Sequence, residues 1–521
     1  MCQAISNFLN NENGITYAVF GLYLLMMISI GLYCFFKTKD VKDYLLGGRN
    51  VSSWVTALSA EASDMSGWLL MGVPGVVYMF GPHQTWVVIG LGIGTYLNWK
   101  MVGPRLRVYT EKTESLTLAS FFCRRFRDPS GCLQIFSAIV TLIFFTIYAA
   151  SGLVGAGKLF ESLFGIDYQL AVIIGCLVLL FYTVLGGYLA VCWTDLIQGA
   201  LMFFALIIVP AVAFFNIDFQ VSSASTFNIT QAFSEAYNAI GDVCQQKNIS
   251  LSFLPPVADG VPAVMAIVAI ISMAVWGLGY FGQPHILVRF MSIKSAKQFP
   301  SATRIAMTWV SISMIAAVLI GFVAIPIYYG KVTDAQEAEK VFIYMVRDFC
   351  NPWIGGVLLS AILAAIMSTI DSQLLAAGST LTADFYKLIR KKSTTREEMH
   401  ISRVFVLIIC ILACIMALNP SKTIFALVTF AWGGFGAAFG PVVLMSLYSK
   451  RTSWQSALCG MVAGTAVMLV WYFLGWGSFM YEILPGFAAG LLAINIANIF
   501  WPQKDSEVLA EFDQVKAEMV R

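Results

Sequence analysis

Charge is scarce in this sequence. Lysine, arginine, aspartate and glutamate make up 12% of its 521 residues, and histidine occurs only 3 times. A soluble domain carries about 25% charged residues, so a chain folded in water is excluded, and a soluble enzyme with it. A net charge of +3 leaves no basic footprint for nucleic acid. His83, His285 and His400 are too few to build a metal centre between them. No HExxH, Walker or GxSxG pattern occurs, so enzyme chemistry has little to stand on. The 11 cysteines fall mostly within apolar runs. Only Cys2, Cys244 and Cys350 are placed to face outward, which excludes a disulfide framework.

What the chain has is apolar length: 59% of residues are hydrophobic and the mean hydropathy is +0.77. A membrane helix needs about 20 mostly apolar residues, and thirteen such stretches occur: 15–36, 53–80, 83–103, 131–163, 168–190, 192–216, 263–290, 303–329, 351–386, 401–418, 422–448, 455–475 and 478–500. Long runs without alternation are helices, not barrel strands. The expected fold class is an all-α polytopic bundle. The first stretch has no Lys or Arg before it and three lysines after it, and reads as a retained helix, not a signal peptide. With the N-terminus outside and thirteen crossings, 26 basic residues fall inside, 5 outside, and Lys158 within a span. That split fits the positive-inside rule and puts the C-terminus in the cytoplasm. The loop at 217–262 is the longest outside segment. Its Asn228 and Asn248 match the glycosylation acceptor pattern, read here as chance matches. The tail at 503–521 is short and polar, with room for one short helix.

Ionisable groups at membrane depth are costly and become functional candidates. Four acids qualify: Glu61, Asp64, Asp195 and Asp371. The first two lie in Ser59-Ala60-Glu61-Ala62-Ser63-Asp64-Met65-Ser66-Gly67, a run suited to a helix that breaks and frees carbonyls for a cation. A packing stripe of small residues would explain the serines and glycine, but not the acids. A second irregular run, Trp276 to Pro284, holds three glycines and a proline. Trp276, Tyr280 and Pro284 recur every fourth residue, so a helix would put them roughly on one face, able to cover an apolar solute body. The broken spans are five apart, the pattern of two five-helix repeats with a site at mid-membrane. In span nine, Ala365, Ser368 and Thr369 share one face, as do Ser368, Asp371 and Ser372. Hydroxyls with freed carbonyls offer hard oxygens of little formal charge, which suits Na⁺ over a divalent ion. Back-bonding of Ser and Thr to their own helix is the plainer alternative.

Taken together, Tyr44 to Arg49, Ser63 to Gly72, Trp193-Thr194-Asp195, Trp276 to His285, Ala364 to Thr369 and Phe435 to Pro441 resemble the sodium:solute symporter family, from about residue 40 to 500. The resemblance implies a LeuT-like fold in one transporter domain, 1–502. It comprises a leading helix (15–36), inverted repeats at 53–216 and 263–448, and two trailing helices at 455–500. It implies a sodium site on the carbonyls of Ala62, Met65 and Ala365 and the hydroxyls of Ser368 and Thr369, with Asp64 tied to sodium binding. Ser66 and Gly67 would bear on coupling and solute affinity. Trp276, Tyr280 and Pro284 match positions that shape the pocket of members carrying L-proline. A second ion site would fall on Asp195, Ser368, Asp371 and Ser372, although Asp371 stands where many relatives have a neutral hydroxyl. Glu61 has no assigned role.

The expectation is therefore a sodium-coupled importer of L-proline in the cell membrane. Na⁺ is its coupling ion, and it has no cofactor, nucleic-acid partner or obligatory protein partner. The rivals are a family member for a sugar, sialic acid, pantothenate or a monocarboxylate, a transporter-like sensor, and a sodium channel. No signalling domain supports the sensor and nothing resembles a selectivity filter.

Overall fold

The computed structural model describes residues 12–37, 46–185, 187–216, 238, 240–246, 249–256, 262–386, 390 and 393–519. Cys2, Asn228 and Asn248 lie outside the described residues.

The described residues are mostly helical. No β-strand forms among the described residues; there is one isolated bridge, Val51 to Ile293. Among the described residues, ten helices are long and apolar enough to cross a membrane. They are α1 (Glu12–Lys37), α7 (Cys132–Phe164), α9 (Tyr188–Asn216), α10 (Val264–Ala274, continued by a 3₁₀ segment to Gly282) and α12 (Phe299–Tyr328), followed by α14 (Pro352–Thr380), α15 (Thr395–Ala417), α16 (Ile424–Tyr448), α17 (Trp454–Phe473) and α18 (Ile483–Phe500). Three of the thirteen expected stretches are helical but fall outside these ten: two are broken, and the apolar part of the third is shorter, Tyr168–Leu180. Residues 53–80 divide into α2 (Ser53–Asp64) and α3 (Val73–Phe80), joined by a π-turn at Trp68–Gly72. Residues 83–103 form α4 (Thr85–Leu97), which passes through a π-turn into α5 (Gly103–Lys112). The fifth stretch is the short α8 (Tyr168–Leu185). Serine, aspartate and glycine compete poorly for helix interior positions, which is why the first of these breaks where it does.

Helix starts are capped by side chains. Ser52, Asn351 and Thr423 accept from the third residue of α2, α14 and α16, satisfying amides that lipid would leave bare. The apolar window of α14 is 83% buried and that of α16 is 78% buried, against 28% for α15. The first two are therefore inner helices and the last faces lipid. Two amphipathic helices lie at opposite ends, α6 (Leu118–Phe126) and α13 (Val341–Phe349), and α11 (Pro284–Ser292) restarts the chain after the 3₁₀ segment. The tail forms α19 (Ser506–Glu518), docked by Phe512 and by pairs of Glu507 with Arg127 (2.5 Å), Glu518 with Lys112 (3.5 Å) and Asp513 with Lys450 (3.8 Å).

Candidate functional site

The break in α2 is a rerouting of backbone hydrogen bonds. Met65 N–H still reaches Glu61 O at 2.8 Å, but Ser66 N–H turns to Asp64 O at 3.0 Å. The carbonyl of Ala62 thereby loses its helical donor, and the Ser368 hydroxyl of α14 takes it at 2.7 Å. Ser368 Oγ also lies 3.1 Å from Ala365 O. Oxygens of Ala62, Ala365 and Ser368 thus converge where a broken helix crosses an intact one. Thr369 Oγ1 is buried and has no hydrogen-bond partner among the described residues. Met65 ends α2 three residues beyond Ala62. Such a set, neutral and hard, offers a monovalent cation several donors.

Asp64 faces the other broken span. The Tyr280 hydroxyl donates to its Oδ2 at 2.5 Å, while Oδ1 is buried without a partner. Its carbonyl receives the Trp68 indole N–H at 3.0 Å and Tyr148 Oη at 3.4 Å. Ser66 and Gly67 form the break itself, both buried.

The 3₁₀ segment Val275–Gly282 needs its glycines. A Cβ on Gly279 would lie 1.9 Å from Trp432 Nε1, and one on Gly277 would lie 2.3 Å from Gly90 O. The close approach lets Trp432 Nε1 donate to Trp276 O at 2.8 Å. The Tyr280 ring meets Trp432 edge-on with centroids 5.0 Å apart, and Trp276 stacks on Phe425 at 5.0 Å and lies 6.4 Å from Trp68. Trp276 and Tyr280 therefore share an aromatic cluster bordering the first break. Pro284 does not join it. Three residues per turn remove the fourth-residue spacing, and extended Gln283 (φ −84°, ψ 105°) starts α11 in a new direction. Pro284 instead lines a small cavity at the basic end with Arg289 and Ser372, so the single-face expectation fails for it.

The residues expected at a second ion site are brought together around a cation already in the chain. Arg289 Nη2 donates to Asp195 Oδ2 at 3.1 Å and to Ser372 Oγ at 2.5 Å, and Nε donates to Ser59 Oγ at 3.2 Å. Ser59 and Ser63 also donate to Asp195 Oδ2, at 2.6 and 3.1 Å. Ser372 Oγ lies 3.3 Å from Asp371 Oδ1 and donates to Ser368 O at 2.6 Å. Arg289, one of the 26 basic residues counted as inside, is 1% exposed. Its signal was an arginine inside the apolar run Pro284 to Phe290. Glu61 finds a structural partner: Trp99 Nε1 donates to its Oε1 at 2.8 Å.

The sodium:solute symporter family profile matches residues 44–464. The sodium/proline symporter of Salmonella typhimurium is 45% identical over 488 residues, covering 92% of each chain. The sodium/proline symporter of Escherichia coli is 43% identical, covering 96% of this chain and 95% of that one. The osmoregulated proline transporter of Bacillus subtilis is also 43% identical, covering 91% and 92%. Among solved structures, a Na⁺-coupled sialic acid symporter in a substrate-bound outward-open state superposes with a TM-score of 0.76 at 20% identity, covering 94% of this chain and 99% of that one. At that identity the likeness bears on fold, and it agrees with a LeuT-like helical bundle. The chain is a multi-pass membrane transporter, not an enzyme, and belongs to the sodium:solute symporter family.

Proposed function

We propose that the protein imports L-proline by alternating access, driven by inward movement of sodium. The observation that carries this reading is the convergence of Ala62, Ala365 and Ser368 oxygens at the break of α2, joined through Asp64 and Tyr280 to the aromatic cluster at Trp276. Sodium would sit on those oxygens with Met65 O and Thr369 Oγ1, and would fix α2 against α14. Proline would lay its ring on Trp276 and Tyr280 and turn its carboxylate to a half-helix start near Ser66 and Gly67, where the dipole is positive. The relatives that are proline transporters support this choice of solute.

Each sodium moving inward releases about 2.3 kcal/mol per 100 mV of membrane potential, before its concentration gradient is added. The reading places thirteen crossings in the cell membrane, with the N-terminus outside and the basic end in the cytoplasm. It needs no cofactor and no protein partner. A second sodium near Asp371 would share Asp195 with the guanidinium of Arg289.

The test is uptake of labelled L-proline into proteoliposomes under an inward sodium gradient or an equal potassium one, for wild type and Asp64→Asn. Concentrative, sodium-dependent uptake that collapses in the variant is expected. Wild type that ignores proline under sodium overturns the solute and brings sugars and other zwitterions forward. Equal accumulation in potassium overturns the coupling ion.

A further inference from the structure

A lateral groove of about 370 Å³ opens between α2, α9 and α12, away from the Asp64 cluster. Its walls are apolar: Trp54 and Leu58 from α2, Phe203 and Phe204 from α9, and Trp309 from α12. Trp54 is 62% exposed and Phe204 59% exposed, so the groove faces the surroundings of the bundle, which for a membrane helix means lipid. Its one cationic group is Arg304, at the mouth. Among the described residues that side chain makes one hydrogen bond, Nε to Pro300 O at 3.3 Å, and no ion pair. The Thr308 hydroxyl beside it is spent on Arg304 O at 2.9 Å. Both Nη groups are left to face a ligand.

One residue behind the groove wall, α9 packs closely on α2 near Ala62. Gly199 precedes Ala200 of the groove wall, and a Cβ placed on it would lie 3.3 Å from the Ala62 methyl and 3.6 Å from Leu58 O. Trp309 Nε1 donates to Gly199 O at 3.0 Å, tying α12 to the same spot. The groove is thus lined by the same three helices that meet beside Ala62.

We propose that this groove binds an anionic phospholipid, phosphate on Arg304 and acyl chain against Trp54, Leu58 and Phe204, and that its occupancy raises affinity at the Ala62 site. The chemistry selects that occupant. A guanidinium at the mouth of an apolar slot suits a phosphodiester with a chain attached, and basic pockets between membrane helices hold acidic headgroups. Trp54 beside it suits the headgroup level, where tryptophan concentrates. From Arg304 to Trp309 the slot runs about 7–8 Å along the helix axis, the depth of several methylenes.

The full-length protein in nanodiscs gives the test, using phosphatidylglycerol or phosphatidylcholine with brominated acyl chains at equal mole fraction. The emission of Trp54 is isolated as the difference between wild type and Trp54→Phe. Phosphatidylglycerol is expected to quench it at least twofold more than phosphatidylcholine, and Arg304→Gln to abolish that preference while Arg304→Lys retains part of it. Equal quenching by the two lipids in wild type, or a preference that survives Arg304→Gln, overturns the site. The second arm, which rests on the sodium reading above, measures half-saturating sodium for ligand binding. A shift of threefold or more between the two lipids, absent in Arg304→Gln, is expected. A lipid preference without that shift keeps the site and overturns its link to Ala62. If no sodium dependence exists at all, the quenching arm still decides the lipid site by itself.

Discussion

Two hydroxyls one residue apart make unequal predictions. Ser368 Oγ is already in use, donating to the Ala62 carbonyl at 2.7 Å, whereas Thr369 Oγ1 is buried with no partner. Ser368→Ala removes an oxygen from the proposed sodium set and also strands a buried carbonyl that its own helix no longer serves. A stranded acceptor costs about 1–3 kcal/mol, so the sodium-free protein is expected to lose stability. Thr369→Val keeps the shape and removes an oxygen that no group among the described residues uses. Its sodium-free stability is expected to match wild type or exceed it. Losing one polar contact to a full charge costs about 1.5–3 kcal/mol, which is roughly 10- to 150-fold in affinity at 1.36 kcal/mol per decade. Both variants should therefore need that much more sodium. The assay is thermal unfolding in sodium-free choline buffer followed by a sodium titration, since a ligand that binds only the folded state raises stability with concentration. If Thr369→Val destabilises the sodium-free protein as much as Ser368→Ala does, or leaves the sodium midpoint unmoved, the assignment of these oxygens is refuted.

Three further outcomes are expected. Lys158 and Glu339 form a pair only 5% and 3% exposed, at 2.7 Å, and Glu339 also accepts from Ile424 N and Phe425 N; removing one partner of such a pair typically costs about 3–5 kcal/mol. Lys158→Met should therefore lower the unfolding midpoint, but less than Glu339→Leu, which also strips the start of α16. Gly279→Ala should displace Trp432, whose Nε1 lies 1.9 Å from the added methyl, with an overpacking cost of about 1–3 kcal/mol and weakened proline binding; wild-type affinity in that variant would remove the aromatic cluster from the site. Docking of α19 should weaken with salt, because its ion pairs are exposed, and with acid. Burial works against the Asp505 charge, yet amide donors at Val508 and Glu507 and the Arg127 guanidinium outweigh it and hold this carboxyl below its ordinary 3.8. A depressed carboxyl stabilises the docked state above its ordinary value and loses that contribution as pH falls through the lowered one, so protease cleavage of the tail should accelerate below about pH 4.

The parts of the fold that follow from solvation were legible in the sequence. Apolar run length announced the helices, and the clusters Ser63 to Gly67 and Gly277 to Pro284 announced the breaks, because both depend on neighbours along the chain. Pairings across long separations were not legible. Nothing near Trp99 says that its indole reaches Glu61, and nothing near Ser368 says that it meets Ala62, 306 residues away; the resemblance to a family supplied that set. The burial of Arg289 was not legible either. The positive-inside rule assigns an arginine at a span end to one side and says nothing of its partners, and this guanidinium sits 1% exposed because Asp195, Ser59 and Ser372 bond to it. Pro284 was placed by helical spacing that a 3₁₀ segment does not keep.

The two broken helices also explain how one ion could report to one solute. Asp64 belongs to both: the turn it ends frees Ala62 O for Ser368, and its carboxyl holds Tyr280, whose ring sets Trp432 and through it the backbone of Trp276. A cation that draws Ala62 toward α14 moves the residue that orients the aromatic cluster. Proline bound on that cluster must then favour the same position of Ala62, because coupling between two binding sites is reciprocal. Asp64→Asn keeps a side chain of the same size beside Tyr280 and alters the charge. It should therefore leave the aromatic cluster in place while reducing the factor by which sodium raises proline affinity. If the variant instead lost proline affinity equally with and without sodium, Asp64 would be holding the pocket together and not linking it to the ion.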